Sequence, residues 1–254
     1  VFQIQVGRRM KIPQKASSLT MYRYLRYSNP SKYMFFIKLN GICLLGSSPE
    51  LLVVVDDKEV TIKPLAGTRR RYSSSKTEDE IVDELLADKK EQAEHVMLVD
   101  LARNDIGKAA KYGTVKVTDL MSVEKYAHVM HIVSNVIGEL KDDMTALDAF
   151  KFGFPAGTVT GTPKIRAMEI ITEQETVQRE FYSGGIVFFD FQGNLKSTLT
   201  IRSIFVKDNF TYTQASAGIV ADSKPELEFL ETQNKMKSSL QAMTIEEDGY
   251  DSSH

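Results

Sequence analysis

The sequence predicts an α+β fold with large antiparallel sheets flanked by helices. Three observations lead there. Short runs rich in Val, Ile, Phe and Tyr follow one another between turn signals such as Asn-Gly, Ser-Ser-Pro and Asp-Asp. Helical patterning is confined to a few stretches with recognisable starts. No fixed-period repeat or low-complexity linker divides the chain, so a single domain over residues 1–243 with a large antiparallel sheet, followed by a polar tail at 244–254, is the economical organisation.

Each element has its own local cause. VFQIQVGRRMKI alternates from its first residues, with neither an initiating Met nor a cap, and reads as the start of a fragment or a processed chain. SSLTMYRYLRYSNP carries a helix start signal and a Pro stop. YMFFIKLNGICLLGSSPELLVVVDDKEVTIKPL is a meander of short strands. From Thr77 to about Ala110 the pattern turns helical, in TEDEIVDELLADKKEQ and then AEHVMLVDLARNDIGKAA, with Thr77 and Glu80 spaced as a capping box. Strands return in GTVKVTDLMSV and HVMHIVSNVIGEL, TPKIRAMEIITEQETVQ is a helix with Pro at its start, and GGIVFFDFQGNLKSTLTIRSIFV suggests a hairpin about Gln192-Gly193-Asn194. PELEFLETQNKMKSSLQAM closes the core as a helix, and EEDGYDSSH is a polar, frayed end.

Composition narrows the class of function. With 42% hydrophobic and 26% charged residues, 254 residues suffice for a sizeable core in a soluble globular protein. A net charge of −2 gives no electrostatic reason to expect nucleic acid or an anionic membrane as partner. No apolar run approaches the roughly 18 residues of a membrane span. The single cysteine, Cys43, excludes an internal disulfide framework and suits a cytoplasmic, reducing setting.

The unusual chemistry is acidic. Glu228 and Glu231 in EFLETQNK, and Glu91 and Glu94 in KEQAEHVMLVD, are each three residues apart, which on a helix places them about 60° apart on one face, where like charges repel. A single such pair is usually a solvated helix face. Two pairs could instead converge on a divalent cation, and oxygen-only ligands favour Mg²⁺. Arg202 and Lys235 could meet carboxylates, although either is more often a surface cation. FPAGTVTGTPK gathers small residues and hydroxyls before a helix start, where backbone N–H groups can meet an anion, but it lacks the order of a phosphate loop. His128 and His131 fall on opposite faces of a strand, so at most one faces any given site. There is no nucleophile elbow and no His-Glu-x-x-His.

Together GSSPELL, PLAGTRRR, DKKEQAEHVMLVDLARNDIGK, HVMHIVSNVIGEL, FPAGTVTGTPKIRAMEII, YSGGIVFFDFQGN, TIR and AGIVADSKPELEFLETQNK resemble the catalytic C-terminal part of the chorismate-utilising enzymes, most closely the anthranilate synthase component I branch. The resemblance implies an enzyme of aromatic amino acid biosynthesis, a lyase that converts chorismate and ammonia to anthranilate and pyruvate. It also implies a glutamine amidotransferase subunit as the ammonia-delivering partner. It implies a Mg²⁺ ligated directly by Glu94 and Glu231, with Glu91 and Glu228 acting through water. Arg202 and Tyr182 match residues that hold the enolpyruvyl carboxylate, while Lys235, Ala217 and Gly218 match further substrate contacts. His131 matches a histidine of the ring chemistry, Thr158 and Gly67 match pocket-lining positions, and proton donation is expected on the Glu91/Glu94 side.

The branch rests on two replacements. Ala66 stands where aminodeoxychorismate synthases typically carry a nucleophilic lysine, and Gln3 where isochorismate and salicylate synthases place a water-activating one. Ammonia is then the expected nucleophile, with aminodeoxychorismate synthase as the alternative. The chain departs from the family at Ser216, where Gly is usual, and at Lys32 in NPSKYMFF, where Pro is usual. The family's usual N-terminal portion has no counterpart in these residues, so an incomplete catalytic half, inactive without that portion, is a further alternative.

Overall fold

The computed structural model describes residues 1–72, 75–126 and 129–247. Strand β1 (Gln3–Pro13) leads into α1 (Ser18–Ser28), where the Ser17 side chain accepts from the Thr20 amide as N-cap. The meander follows as β2 (Tyr33–Leu39), β3 (Ile42–Ser48), β4 (Leu51–Asp56), β5 (Glu59–Ile62) and β6 (Leu65–Arg70). Helix α2 (Glu78–Ala87) begins at the Thr77/Glu80 capping box, and α3 (Lys89–Ala109) at Asp88, whose carboxylate accepts from the Lys90 and Glu91 amides. Next come β7 (Lys116–Lys125), β8 (Val129–Glu139), α4 (Ala146–Gly153), β9 (Gly161–Thr162), α5 (Lys164–Gln174), β10 (Gly185–Phe189), β11 (Leu195–Leu199), β12 (Ser203–Lys207), β13 (Phe210–Ile219) and α6 (Pro225–Thr244).

The chain forms two compact units, the first of Val1–Pro49, Val159–Gly184 and the chain from Leu199, the second of Glu50–Thr158 and Gly185–Thr198. The first unit is built on a six-stranded sheet in the order β2-β3-β12-β13-β1-β9. Its longest ladder pairs β1 with β13 antiparallel, from Ile4 opposite Ile219 to Pro13 opposite Phe210. Because side chains alternate along a strand, Gln5 and Arg9 share a face with the residues opposite them, Gly218 and Gln214. The opposite alternation supplies the core: Cys43, Leu45, Ile204 and Val206 pack with Met21 and Leu25 of α1 and Ala242 and Met243 of α6. A fully buried Leu or Met in such a cluster contributes about 1.5–3 kcal/mol by removal from water.

The second unit is built on a seven-stranded sheet, β10-β11-β4-β5-β8-β6 with β7 also on β8. β8 carries β7 along one edge and β5 and then β6 in succession along the other. Ile81 and Leu85 of α2 bury Met130 and Ile132 of β8.

The large antiparallel sheets expected of the fold are present, but the one continuous sheet of the economical organisation is divided in two. GGIVFFDFQGNLKSTLTIRSIFV is the reason: β10 and β11 do form the expected hairpin, but β12 joins the other sheet. The switch occurs at Arg202, whose φ of +51° breaks the strand, while apolar character runs on through both strands and hides the change. Helix α4 was not expected either, although Thr145 and Asp148 form a second capping box. Hydrogen bonds from the Thr145 hydroxyl and amide hold the Asp148 carboxyl down at about 2. Thr244 lies within α6 rather than the tail, and Glu247 accepts from Thr20 Oγ1 at 2.8 Å. The remainder of the expected tail, 248–254, and His128 lie outside the described residues.

Candidate active site

In the second unit, the site is built around a defect in a ladder. β6 pairs with β8 so that Ala66 lies opposite Ile132 and Thr68 opposite His131, with the register shifted at Gly67 between them. Gly67 has φ +66°, and a Cβ there would stand 3.2 Å from Ile132 Cδ1 and 3.3 Å from Glu91 Oε2. Only glycine takes that conformation without strain. The bulge turns the Gly67 carbonyl to His131, whose Nδ1 lies 3.0 Å away. A carbonyl only accepts, so this contact is a hydrogen bond when Nδ1 carries the ring proton, the tautomer whose lone pair is at Nε2. Thr68 Oγ1 lies 3.0 Å from the same Nδ1, and the Tyr126 ring meets the imidazole edge-on at 5.4 Å.

Glu91 reaches this group from the first turn of α3. Arg69 forks between the two acids of that turn, Nη2 to Asp88 at 2.7 Å and Nη1 to Glu91 at 3.1 Å. Burial disfavours the guanidinium's charge, but Glu91 and Asp88 outweigh it and the Arg69 pKa is raised. Glu94 is half-buried three residues further along α3. Thr158 donates to a different acid, Glu50, which is 7% exposed. Both line a cavity of about 30 Å³ with Lys63 and Asp105, room for about one water.

In the first unit, the predicted residues lie on β13 and α6, with Tyr182 ahead of β10 and Arg202 between β11 and β12. Tyr182 Oη lies 2.8 Å from Ser216 Oγ. Burial raises the Tyr182 phenol's pKa, opposed by the Ser216 hydrogen bond and by the charges of Arg179 and Arg202. Arg202, at the strand switch, is pinned through its carbonyl by the Ser47 amide at 3.2 Å. Lys235 Nζ donates to the Ser216 carbonyl at 2.9 Å and pairs with Glu231 one turn earlier on α6. Ala217 is buried, and a Cβ on Gly218 would come within 2.7 Å of Gln3 Nε2 and 2.9 Å of Gln5 Nε2. Glu228 is buried at the start of α6. Ser216 lies within β13 and outside the positive-φ region, so the strand makes no glycine-specific demand on the backbone there.

Each helix thus offers one of the predicted glutamate pairs, Glu91/Glu94 on α3 and Glu228/Glu231 on α6. In each unit a cation already attends one acid, Arg69 on Glu91 and Lys235 on Glu231. Among the described residues no group of three or more His, Cys, Asp or Glu side chains is gathered as around an ion. The donors still fit a hard divalent cation in kind, being carboxylate oxygens alone, with Glu228 already withdrawn from water.

Sequence reasoning missed Glu50, Arg69, Gln5 and the Glu175–Arg179 pair. Glu175 is 4% exposed at its side chain and accepts from Arg179 at 2.6 and 2.9 Å, while Arg179 also holds the backbone carbonyls of Gln5 and Val159. Glu50 offered a signal, a charge set directly before the apolar run LLVVV. The others are recognisable only by their partners in space.

A family model described as chorismate binding enzyme matches residues 1–241. Anthranilate synthase component 1 of Bacillus caldotenax is 51% identical over 243 residues, which is 96% of this chain and 48% of that protein. The crystal structure of anthranilate synthase component I from Streptococcus pneumoniae TIGR4 matches with a TM-score of 0.86 and 42% identity, covering 93% of this chain and 52% of that one. The menaquinone-specific isochorismate synthase of Escherichia coli has a TM-score of 0.87 at 24% identity, covering 96% and 56%, a likeness of fold alone. The chain spans about half the length of the curated relatives it matches.

Proposed function

We propose that this chain, which belongs to the chorismate binding enzyme family, carries the catalytic residues of an anthranilate synthase component I. In this reading ammonia, delivered by a glutamine amidotransferase subunit in the cytoplasm, adds at C2 of chorismate. The 4-hydroxyl departs, and loss of pyruvate leaves anthranilate. Support for the branch comes from Ala66 and Gln3. Ala66 is 8% exposed and Gln3 1% exposed, and neither side chain can act as an amine nucleophile or activate water as a lysine would. In this reading the nucleophile, ammonia, comes from outside the chain.

The residues divide the work by chemistry. Arg202 and Lys235 supply positive charge to substrate carboxylates, and Tyr182 a hydroxyl beside Arg202. Glu94 and Glu231 would hold Mg²⁺ directly, with Glu91 and Glu228 acting through water. When bound, that ion supplies a positive charge that orients the ring carboxylate and offsets charge growing on it. His131, held as the Nδ1–H tautomer by Gly67, presents Nε2 to take a proton from the ring as it becomes aromatic. Proton delivery to the departing hydroxyl falls to a carboxylic acid, either on the Glu91/Glu94 side or at Glu50 beside Thr158.

The test is incubation of the chain with chorismate, Mg²⁺ and ammonium, followed by identification of the product by fluorescence and mass. Anthranilate supports the proposal. Aminodeoxychorismate would retain the substrate and overturn the branch. A second reading, an incomplete catalytic half, is favoured by the half-length match to relatives and by edge strand β10, where Phe188 is 70% and Phe189 56% exposed. Turnover that appears only after addition of the missing portion of a relative would establish it.

A further inference from the structure

Behind Tyr182 stands a second hydroxyl. Ser216 Oγ lies 2.8 Å from Tyr182 Oη and donates its proton to Gln5 Oε1 over 3.1 Å. A serine hydroxyl has one proton to give. Since that proton goes to an oxygen that can only accept, the contact between the two hydroxyls is made by the tyrosine's proton. The result is a directed chain from Tyr182 to Ser216 to Gln5. Both inner members are shielded from water, Ser216 at 3% and Gln5 at 6% exposure. The strands fix them, because Ser216 lies opposite Gly7 and Gln5 opposite Gly218 in the β1–β13 ladder, and Lys235 Nζ anchors the Ser216 carbonyl.

We propose that Ser216 sets the affinity of the carboxylate pocket, by engaging the Tyr182 phenolic proton that a bound carboxylate would otherwise receive. This rests on Tyr182 being a contact of the substrate carboxylate. With the chain in this direction Tyr182 presents lone pairs to a ligand, and lone pairs repel a carboxylate. Binding then has to turn the Tyr182 proton away from Ser216, forfeiting one buried hydrogen bond that the ligand must replace. Arg202 contributes charge throughout and is indifferent to the exchange. A residue without a hydroxyl at 216 imposes no such competition.

Ser216→Ala removes the hydroxyl and keeps the strand. Chorismate affinity in the presence of Mg²⁺ would be measured by calorimetry for the wild type, S216A, Y182F and the double variant. Loss of one competing hydrogen bond predicts binding about 3- to 10-fold tighter in S216A and no gain in S216A when Tyr182 is already Phe. Equal or weaker binding by S216A overturns the proposal. So does an equal gain in the Y182F background, because added room rather than a freed proton would then be the cause. If S216A melts early, Ser216→Gly carries the same comparison. A wild-type chain that binds no chorismate defeats the substrate reading and this proposal together, whereas normal binding without the S216A gain defeats this proposal alone.

Discussion

His131 Nδ1 lies 3.0 Å from the Gly67 carbonyl oxygen, and the left-handed backbone of Gly67, at φ +66°, aims that oxygen. A side chain at 67 would disturb both. Gly67→Ala should cost about 1–2 kcal/mol from backbone strain alone, read as a lower urea midpoint. Nitrogen NMR of the wild type at neutral pH should show His131 protonated at Nδ1, and G67A should lose that single-tautomer signature. An Ala variant of full stability with an unchanged tautomer would refute the link.

Arg179 and Glu175 form a buried pair, with side chains 17% and 4% exposed. Removing one partner strands the other. Arg179→Met should cost about 3–5 kcal/mol, and the double variant with Glu175→Leu should lose less than the sum of the two single losses, the remainder reflecting the Gln5 and Val159 carbonyls and the Gly7 amide left without these partners. Denaturation of all three variants checks the coupling; additive losses would mean that the two residues act separately.

His95 is fully buried on α3, its Nε2 2.7 Å from Ser134 Oγ, and burial lowers its pKa from 6.5 to about 4. The unfolded chain therefore binds the extra proton between those values. The His95 contribution to stability should be lost as pH drops from about 6.5 to about 4, on the order of 3 kcal/mol in all, and carboxylates held low by their partners, such as Asp148, add their own losses below that range. Urea titrations across that range, with chelator present, should show the slope, and His95→Gln should flatten it. A wild-type curve that stays flat would mean that the imidazole can be charged in the fold.

Under the proposed function, Glu94→Gln and Glu231→Gln should each raise the Mg²⁺ needed for turnover by about 10-fold or more. Folding should be intact, because one of two like charges on a helix face is removed. Glu226→Gln, at an exposed position of the same helix as Glu231, is the control and should behave as wild type. Metal titration of activity with parallel thermal melts decides the outcome; unchanged metal dependence in both variants would remove the assignment.

The local sequence by itself determined most of the elements. Thr77 and Glu80 announced α2, the Asn-Gly, Ser-Ser-Pro and Asp-Asp turns separated β2, β3, β4 and β5, and the paired glutamates emerged on the helices expected of them. Caps, turns and periodicity are short-range physics, written within a few residues of where they act. Tertiary structure alone decided which sheet each strand joins, because apolar alternation is the same on either side of Arg202. It also decided the partners that orient the chemistry. Gly67 and His131 are 64 residues apart in sequence, Glu50 and Thr158 are 108 apart, and Gln5 and Ser216 are 211 apart. A hydrogen bond depends on distance and direction in space, and no local pattern encodes either across such a separation.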